Sequence, residues 1–212
     1  MTELIYKPEG NVYDDLLHDV DLGIRGESIS IPTGLRRLGK YADIREKILT
    51  LIFSSTGAGK SSLLDTAFIL NPYDWLYSPL NHKKMKMKTI LFSMERSKKY
   101  RIAKWLIRKI YNQEGVKIPL PKLLGWWKEK LIPIERELLD HYRDYILTLL
   151  EDIYIYEGPR SGPDMYRICR GHFEANGKYE KISEYKEIYV PNDSSLIWNI
   201  DIDHGNLTKT SK

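Results

Sequence analysis

Ser54-Ser55-Thr56-Gly57-Ala58-Gly59-Lys60-Ser61-Ser62 is the stretch whose reading decides the fold. Ahead of it, Ile48-Leu49-Thr50-Leu51-Ile52-Phe53 is an apolar run long enough for one buried strand. Behind it, Lys60 to Leu70 sets Leu63, Leu64, Ala67 and Phe68 at helical spacing. A glycine-rich turn between a strand and a helix, carrying Gly59-Lys60-Ser61, is the phosphate-binding loop arrangement. Gly57 and Gly59 let the backbone curl so that its N–H groups point at phosphate oxygens, and the helix N-terminus adds positive potential. On this reading Ser55, Thr56, Gly57, Ala58, Gly59, Lys60, Ser61 and Ser62 form the cradle. Lys60 reaches the β- and γ-phosphates, and the Ser61 hydroxyl is a ligand for Mg²⁺. The first glycine of the G-x-x-x-x-G-K-[ST] pattern is Ser54 here, while the two glycines nearest the phosphates remain. The competing reading, an ordinary glycine-rich turn with an exposed lysine, is disfavoured by the flanking strand and helix.

Composition narrows the setting. The chain has 212 residues, 42% hydrophobic and 29% charged, as expected for one globular domain with a small appendage. No apolar run approaches the ~20 residues that span a membrane, and the first ten residues, MTELIYKPEG, carry no apolar signal segment. A single cysteine, Cys169, excludes an intrachain disulfide and a cysteine-based metal cluster, and the five histidines are scattered. The expected setting is cytoplasmic. The net charge of +4 is mild, although Lys83, Lys84, Lys86 and Lys88 cluster, as do Lys98, Lys99, Arg101, Lys104, Arg108 and Lys109. These two groups read first as a solvated loop and a solvated helix face.

Strands and helices alternate along the rest of the chain. Residues 1–30 read as an N-terminal arm with one short amphipathic helix, stopped by Gly23 and Gly26. Residues 31–212 read as the core. Leu38 and Tyr41 fall on a short helix leading into the loop strand, and Asn71-Pro72-Tyr73-Asp74-Trp75 reads as a turn before the basic loop KKMKMK. Thr89 to Ser93 is a buried strand ending at Met94-Glu95, and Ser97 caps a helix from Lys98 to Gln113 that Gly115 closes. Trp126 and Trp127 read as packing residues. Ile134 to Leu150 is a further helix, Ile153 to Tyr156 a third strand, and Asp164 to Cys169 starts another helix. Residues 171–193 read as a polar surface insertion with Asn176-Gly177 as a hairpin turn. Leu196 to Ile200 leads into Asp201-Ile202-Asp203-His204. The pattern predicts an α/β fold with a mainly parallel sheet flanked by helices.

A nucleotide hydrolase needs, beyond the loop, an acidic group for Mg²⁺ and a group that orients the attacking water. Carboxylates at the C-terminal ends of parallel strands are placed for this, because ligands gather at that edge of an open sheet. Asp203 fits the metal carboxylate, with Asp201 as the neighbouring alternative, and Glu95 is placed to polarise water.

Taken in order, IPTGL (Ile31 to Leu35), SSTGAGKSS, ILFSMERS (Ile90 to Ser97) and IDIDHGNL (Ile200 to Leu207) resemble the ATPase domain of DnaB-like replicative helicases, within the RecA-like superfamily. The resemblance covers roughly residues 30 to 207. It implies that Lys60 binds phosphate, Ser61 and Asp203 hold Mg²⁺, and Glu95 activates water for ATP hydrolysis. It also implies a hexameric ring with nucleotide between subunits and single-stranded DNA drawn through central loops. On this resemblance the family's primase-binding domain is expected to be absent, and the arm resembles a linker helix that docks on a neighbouring subunit. The chain stops after the second carboxylate, so the expectation is an incomplete core. The family's later strands, DNA-contacting loops and arginine finger would lie beyond Lys212, and one of those strands would lie between the loop strand and the Asp203 strand. A RecA-like recombination or packaging ATPase shares the loop and carboxylates. A non-hydrolysing nucleotide-binding assembly subunit is the reading from another class.

Overall fold

The computed structural model describes residues 12–25, 30–35, 37, 39, 43–45, 48, 50–52, 57–158, 160–183 and 186–203. Its centre is β1 (Lys86–Ser93), with β2 (Ile153–Glu157) on one side and β5 (Leu196–Asp203) on the other, both parallel to it. Thr89 to Ser93 are all buried, as a strand covered on both faces requires. The strand starts earlier than its apolar run, at Lys86. Met87 turns into the core between Lys86 and Lys88, so the second half of KKMKMK is strand and not loop.

Parallel neighbours need long crossovers. The first, from β1 to β2, carries α4 (Lys98–Glu114), α5 (Leu120–Leu123), α6 (Pro133–His141) and α7 (Arg143–Asp152). Ser97 caps α4 by accepting from the Tyr100 N–H at 3.2 Å, and Gly115, in the left-handed region at φ +69°, ends it. The single helix expected over 134–150 is broken at Tyr142. Its halves serve two apolar clusters: Leu139 packs with Ile110 and Ile118, whereas Ile146 and Leu149 join the main core. The second crossover, from β2 to β5, carries α8 (Gly162–Asn176) and the antiparallel pair β3 (Gly177–Ser183) and β4 (Lys186–Pro191).

This second crossover corrects the reading of residues 171–193. Asn176-Gly177 is no hairpin turn, because α8 runs to Asn176 and Gly177 opens β3 with extended backbone. Glycine is required there by close approach, since a Cβ would come within 2.4 Å of the Val190 carbonyl oxygen. Nor is the segment merely polar surface. His172 stacks near Tyr154 at 4.1 Å and Phe173 meets Trp198 at 5.1 Å, so α8 covers the sheet face opposite the main core. Trp126 and Trp127, expected to pack, are instead exposed, and Trp126 (67%) stacks on Tyr100.

The main core lies between the other sheet face and the helices that follow the phosphate loop. That helical run is α2 (Lys60–Leu64), a π-helical stretch (Asp65–Leu70) and α3 (Asn71–Leu76). The expected turn at Asn71-Pro72 is therefore helical. Proline inside a helix removes one N–H and crowds the carbonyl four residues back. The wide turn absorbs this: the Asn71 N–H donates to the Thr66 carbonyl, and the Phe68 carbonyl accepts from Asn199 Nδ2 at 2.9 Å. Tyr73 then enters the core, its hydroxyl 3.1 Å from the carbonyl oxygens of both Met87 and Asp152. The Asn71 side chain holds the Ile31–Leu35 segment by donating to the Thr33 carbonyl at 2.9 Å.

The strand expected ahead of the phosphate loop is not formed at residues 48 and 50–52, where Ile48 and Leu51 are 62% and 64% exposed. A strand is stabilised by a ladder partner, and among the described residues β5 pairs only with β1. The short helix expected at Leu38 and Tyr41 lies outside the described residues. The arm forms α1 (Val12–Ile24), which runs through Gly23, and its Tyr13, Leu16, Leu17 and Ile24 are exposed. No helix among the described residues is long and apolar enough to cross a membrane.

Candidate phosphate-binding site

Gly57 and Gly59 have φ of +81° and +92°, the left-handed region that glycine enters without strain. The helical run begins immediately afterwards at Lys60, so the first N–H groups of a helix lie directly after the two glycines. Lys60, Ser61 and Ser62 are half-buried, while Gly57 and Ala58 are exposed. Ser54, Ser55 and Thr56 lie outside the described residues.

Strand alternation delivers the acidic groups. On β5, Asn199, Asp201 and Asp203 turn inward, and Ile200 and Ile202 turn outward. Asp203 sits at the C-terminal end of the strand, paired in register with Ser93 of β1. Ser61 Oγ donates to Asp203 Oδ1 at 2.9 Å. Asp201, two residues earlier, accepts instead from Asn199 Nδ2 at 3.1 Å. Of the two candidate metal carboxylates, it is Asp203 that meets Ser61. Glu95 stands exposed on the bend after β1, and the Met94 N–H ties that bend to β5 by donating to the Asp203 carbonyl at 3.3 Å.

A residue read as part of a solvated helix face completes the site. Arg101 of α4 is only 1% exposed. Its guanidinium donates to the second carboxylate oxygen of Asp203, to Asp65, and to Ser93 Oγ at 2.8 Å. Asp65 lies one turn beyond Ser61, so Ser61, Asp203, Arg101 and Asp65 close a ring that joins the loop helix, β5 and α4. Below Arg101 on the same helix, Lys104 Nζ donates to Ser62 Oγ at 2.6 Å and Arg108 donates to Thr66 Oγ1. Three cations at helical spacing thus bind α4 to the loop helix. The available signal was the pairing of Arg101 with Trp105 one turn on, a buried aromatic that marks the inward stripe.

Burial governs the ionisation here. It pushes Asp65 up, against the pull of Arg101 and Lys104, and pushes Arg101 down, against the pull of Asp65. Asp201 is pushed up to about 8, opposed by the Asn199 amide, so its carboxyl is protonated at neutral pH.

The residues fit a hard, octahedral cation. Bonds of ~2.0–2.1 Å put neighbouring ligand oxygens of Mg²⁺ about 2.9 Å apart, and Ser61 Oγ and Asp203 Oδ1 are separated by 2.9 Å. Among the described residues no group of three or more His, Cys, Asp or Glu side chains is placed to hold a metal ion. Mg²⁺ needs no such cage, since it is commonly held by one or two protein oxygens together with substrate phosphates. No protein-family model, curated protein or solved structure matches the chain.

Proposed function

We propose that this chain is a phosphate-loop nucleoside triphosphatase domain acting on MgATP. On the resemblance of its motifs, we further propose the RecA-like motor of a ring-forming, DnaB-like replicative DNA helicase working in the cytoplasm. The observation that carries the first reading is the Ser61–Asp203 hydrogen bond, which joins a hydroxyl of the loop to the carboxylate at the end of β5.

Each group has one task. Backbone N–H groups of the turn and the Lys60 ammonium bind the β- and γ-phosphates. Ser61 and Asp203 would hold Mg²⁺, whose charge offsets that of the phosphates when it is bound. Arg101 fixes the carboxylate plane of Asp203 from behind. Glu95, on the exposed bend, accepts the proton of the attacking water. In the assembly the resemblance implies, the exposed apolar residues of α1 dock on another copy, and single-stranded DNA is the polymer moved.

Calorimetric titration with MgATP tests the reading. Lys60→Ala removes a charge-assisted hydrogen bond of ~1.5–3 kcal/mol, so affinity falls about tenfold or more while the far-UV circular dichroism stays the same. Unchanged affinity would remove the phosphate-loop assignment.

A further inference from the structure

Beside the phosphate loop, α4, the π-helical stretch and residues 117–120 enclose a groove of about 520 Å³. That is within the ~300–1,000 Å³ of small-molecule sites. Its lining has two chemistries. Lys104 and Arg108 project from α4 one turn apart, and Lys117 stands at the rim. The apolar part of the lining comes from Ile118, Pro119 and Leu120, together with Trp105 and Leu70.

The charge of the groove is unbalanced. Lys104 and Arg108 rest on the neutral hydroxyls of Ser62 and Thr66. The carboxylate among the lining residues, Asp65, is already bound by Arg101. We propose that this groove is a second phosphate-binding site, separate from the phosphate loop, which takes a nucleotide unit. The phosphate lies among Lys104, Arg108 and Lys117, and the sugar or base lies against the Ile118–Leu120 wall. Burial and repulsion from Arg96 lower the Lys104 pKa, with Arg101 and Arg108 adding to that repulsion against the pull of Asp65, a stress that a bound anion relieves. The wall supplies the apolar area that a bare inorganic anion would not use.

The same nucleotide unit is found in free nucleotides and in nucleic-acid strands, and the experiment separates the two. A fluorescein-labelled oligothymidylate and, separately, ADP are titrated in EDTA into the wild-type chain, Arg108→Gln/Lys117→Gln and Lys60→Ala. Melting temperatures check that each variant folds. The double variant loses about tenfold or more in affinity, and does so on the Lys60→Ala background as well, where the phosphate loop no longer contributes, because the groove is a separate site. If the strand is the ligand, the double variant also lowers the slope of log affinity against log salt by about 1.4, ~0.7 per cation removed. If ADP alone responds, the source is the free nucleotide. Lys117→Gln alone, at an exposed position, gives a smaller loss of the same sign. The proposal is overturned if neither ligand weakens in the double variant, or if Lys60→Ala removes all binding. It does not rest on ATP hydrolysis, since a silent phosphate loop would leave the groove titration unaffected.

Discussion

Ser61 and Asp203 are 142 positions apart in the chain, and hydroxyl meets carboxylate at 2.9 Å. Neither side chain is assigned to phosphate, which the backbone N–H groups and Lys60 take, so their substitution separates metal from nucleotide. Ser61→Ala and Asp203→Asn are expected to keep ATP affinity in EDTA but to lose most of the gain that Mg²⁺ brings. Parallel titrations with and without magnesium measure this. A full magnesium effect in both variants would remove these residues from the metal site.

Glu95 is assigned to chemistry and not to binding. Glu95→Gln should bind MgATP as the wild type does while turnover falls by ~10²–10⁴-fold, the usual contribution of a general base. Phosphate release under saturating MgATP, measured in an assembly that hydrolyses ATP, is the readout. Near-normal turnover would pass the role to another carboxylate.

Arg101 is buried between two carboxyl groups, and removing one member of such a group leaves uncompensated charge. Arg101→Met should destabilise the fold by ~3–5 kcal/mol in urea denaturation. A loss below ~1 kcal/mol would be the signature of a solvated pair, contrary to its position.

Asp201 gives a pH signature with a definite sign. Its folded pKa of about 8 exceeds its ordinary 3.8. Below the lower value it is protonated in both states and contributes nothing. Between the two values the unfolded chain alone loses the proton, so stability falls with rising pH, by up to ~1.4 kcal/mol per unit. Above about 8 the slope from this group ends. Asp201→Asn abolishes the slope. The stability difference between variant and wild type in EDTA should therefore widen in the variant's favour from pH 5 to pH 8. A difference that narrows would contradict the buried, protonated carboxyl.

What the sequence disclosed was local. Ser97 and Gly115 bound α4 because capping is a contact over three or four residues. Asp203 was legible as the end of a strand because the apolar run ahead of it is a local pattern. What stayed hidden was settled by distant neighbours. Pro72 reads as a helix stop until Asn199, across 131 positions, takes the carbonyl of Phe68. Ile48 to Phe53 has strand composition, but composition does not supply a ladder. Arg101 reads as solvent-facing because charge usually is, and its burial depends on two carboxylates from other elements. Asn176-Gly177 has the residues of a turn but sits where two backbones approach closely.

The wide-turned stretch from Asp65 to Leu70 bears on how this chain tolerates length changes. It holds one residue more than a regular α-helix would place over the same rise. Deleting a single residue there would let the helix close in ordinary register, but the Pro72 ring would then press on the carbonyl four residues back, the clash that the wide turn avoids. The residues upstream would keep nearly the same bearing on Tyr73 and the core, because the wide turn already takes up the extra residue. Ser61 would therefore stay within reach of the Asp203 carboxylate, and the strain would fall on the proline turn and its Asn199 contact. At this point in the chain, a more regular helix and an uncrowded proline are mutually exclusive.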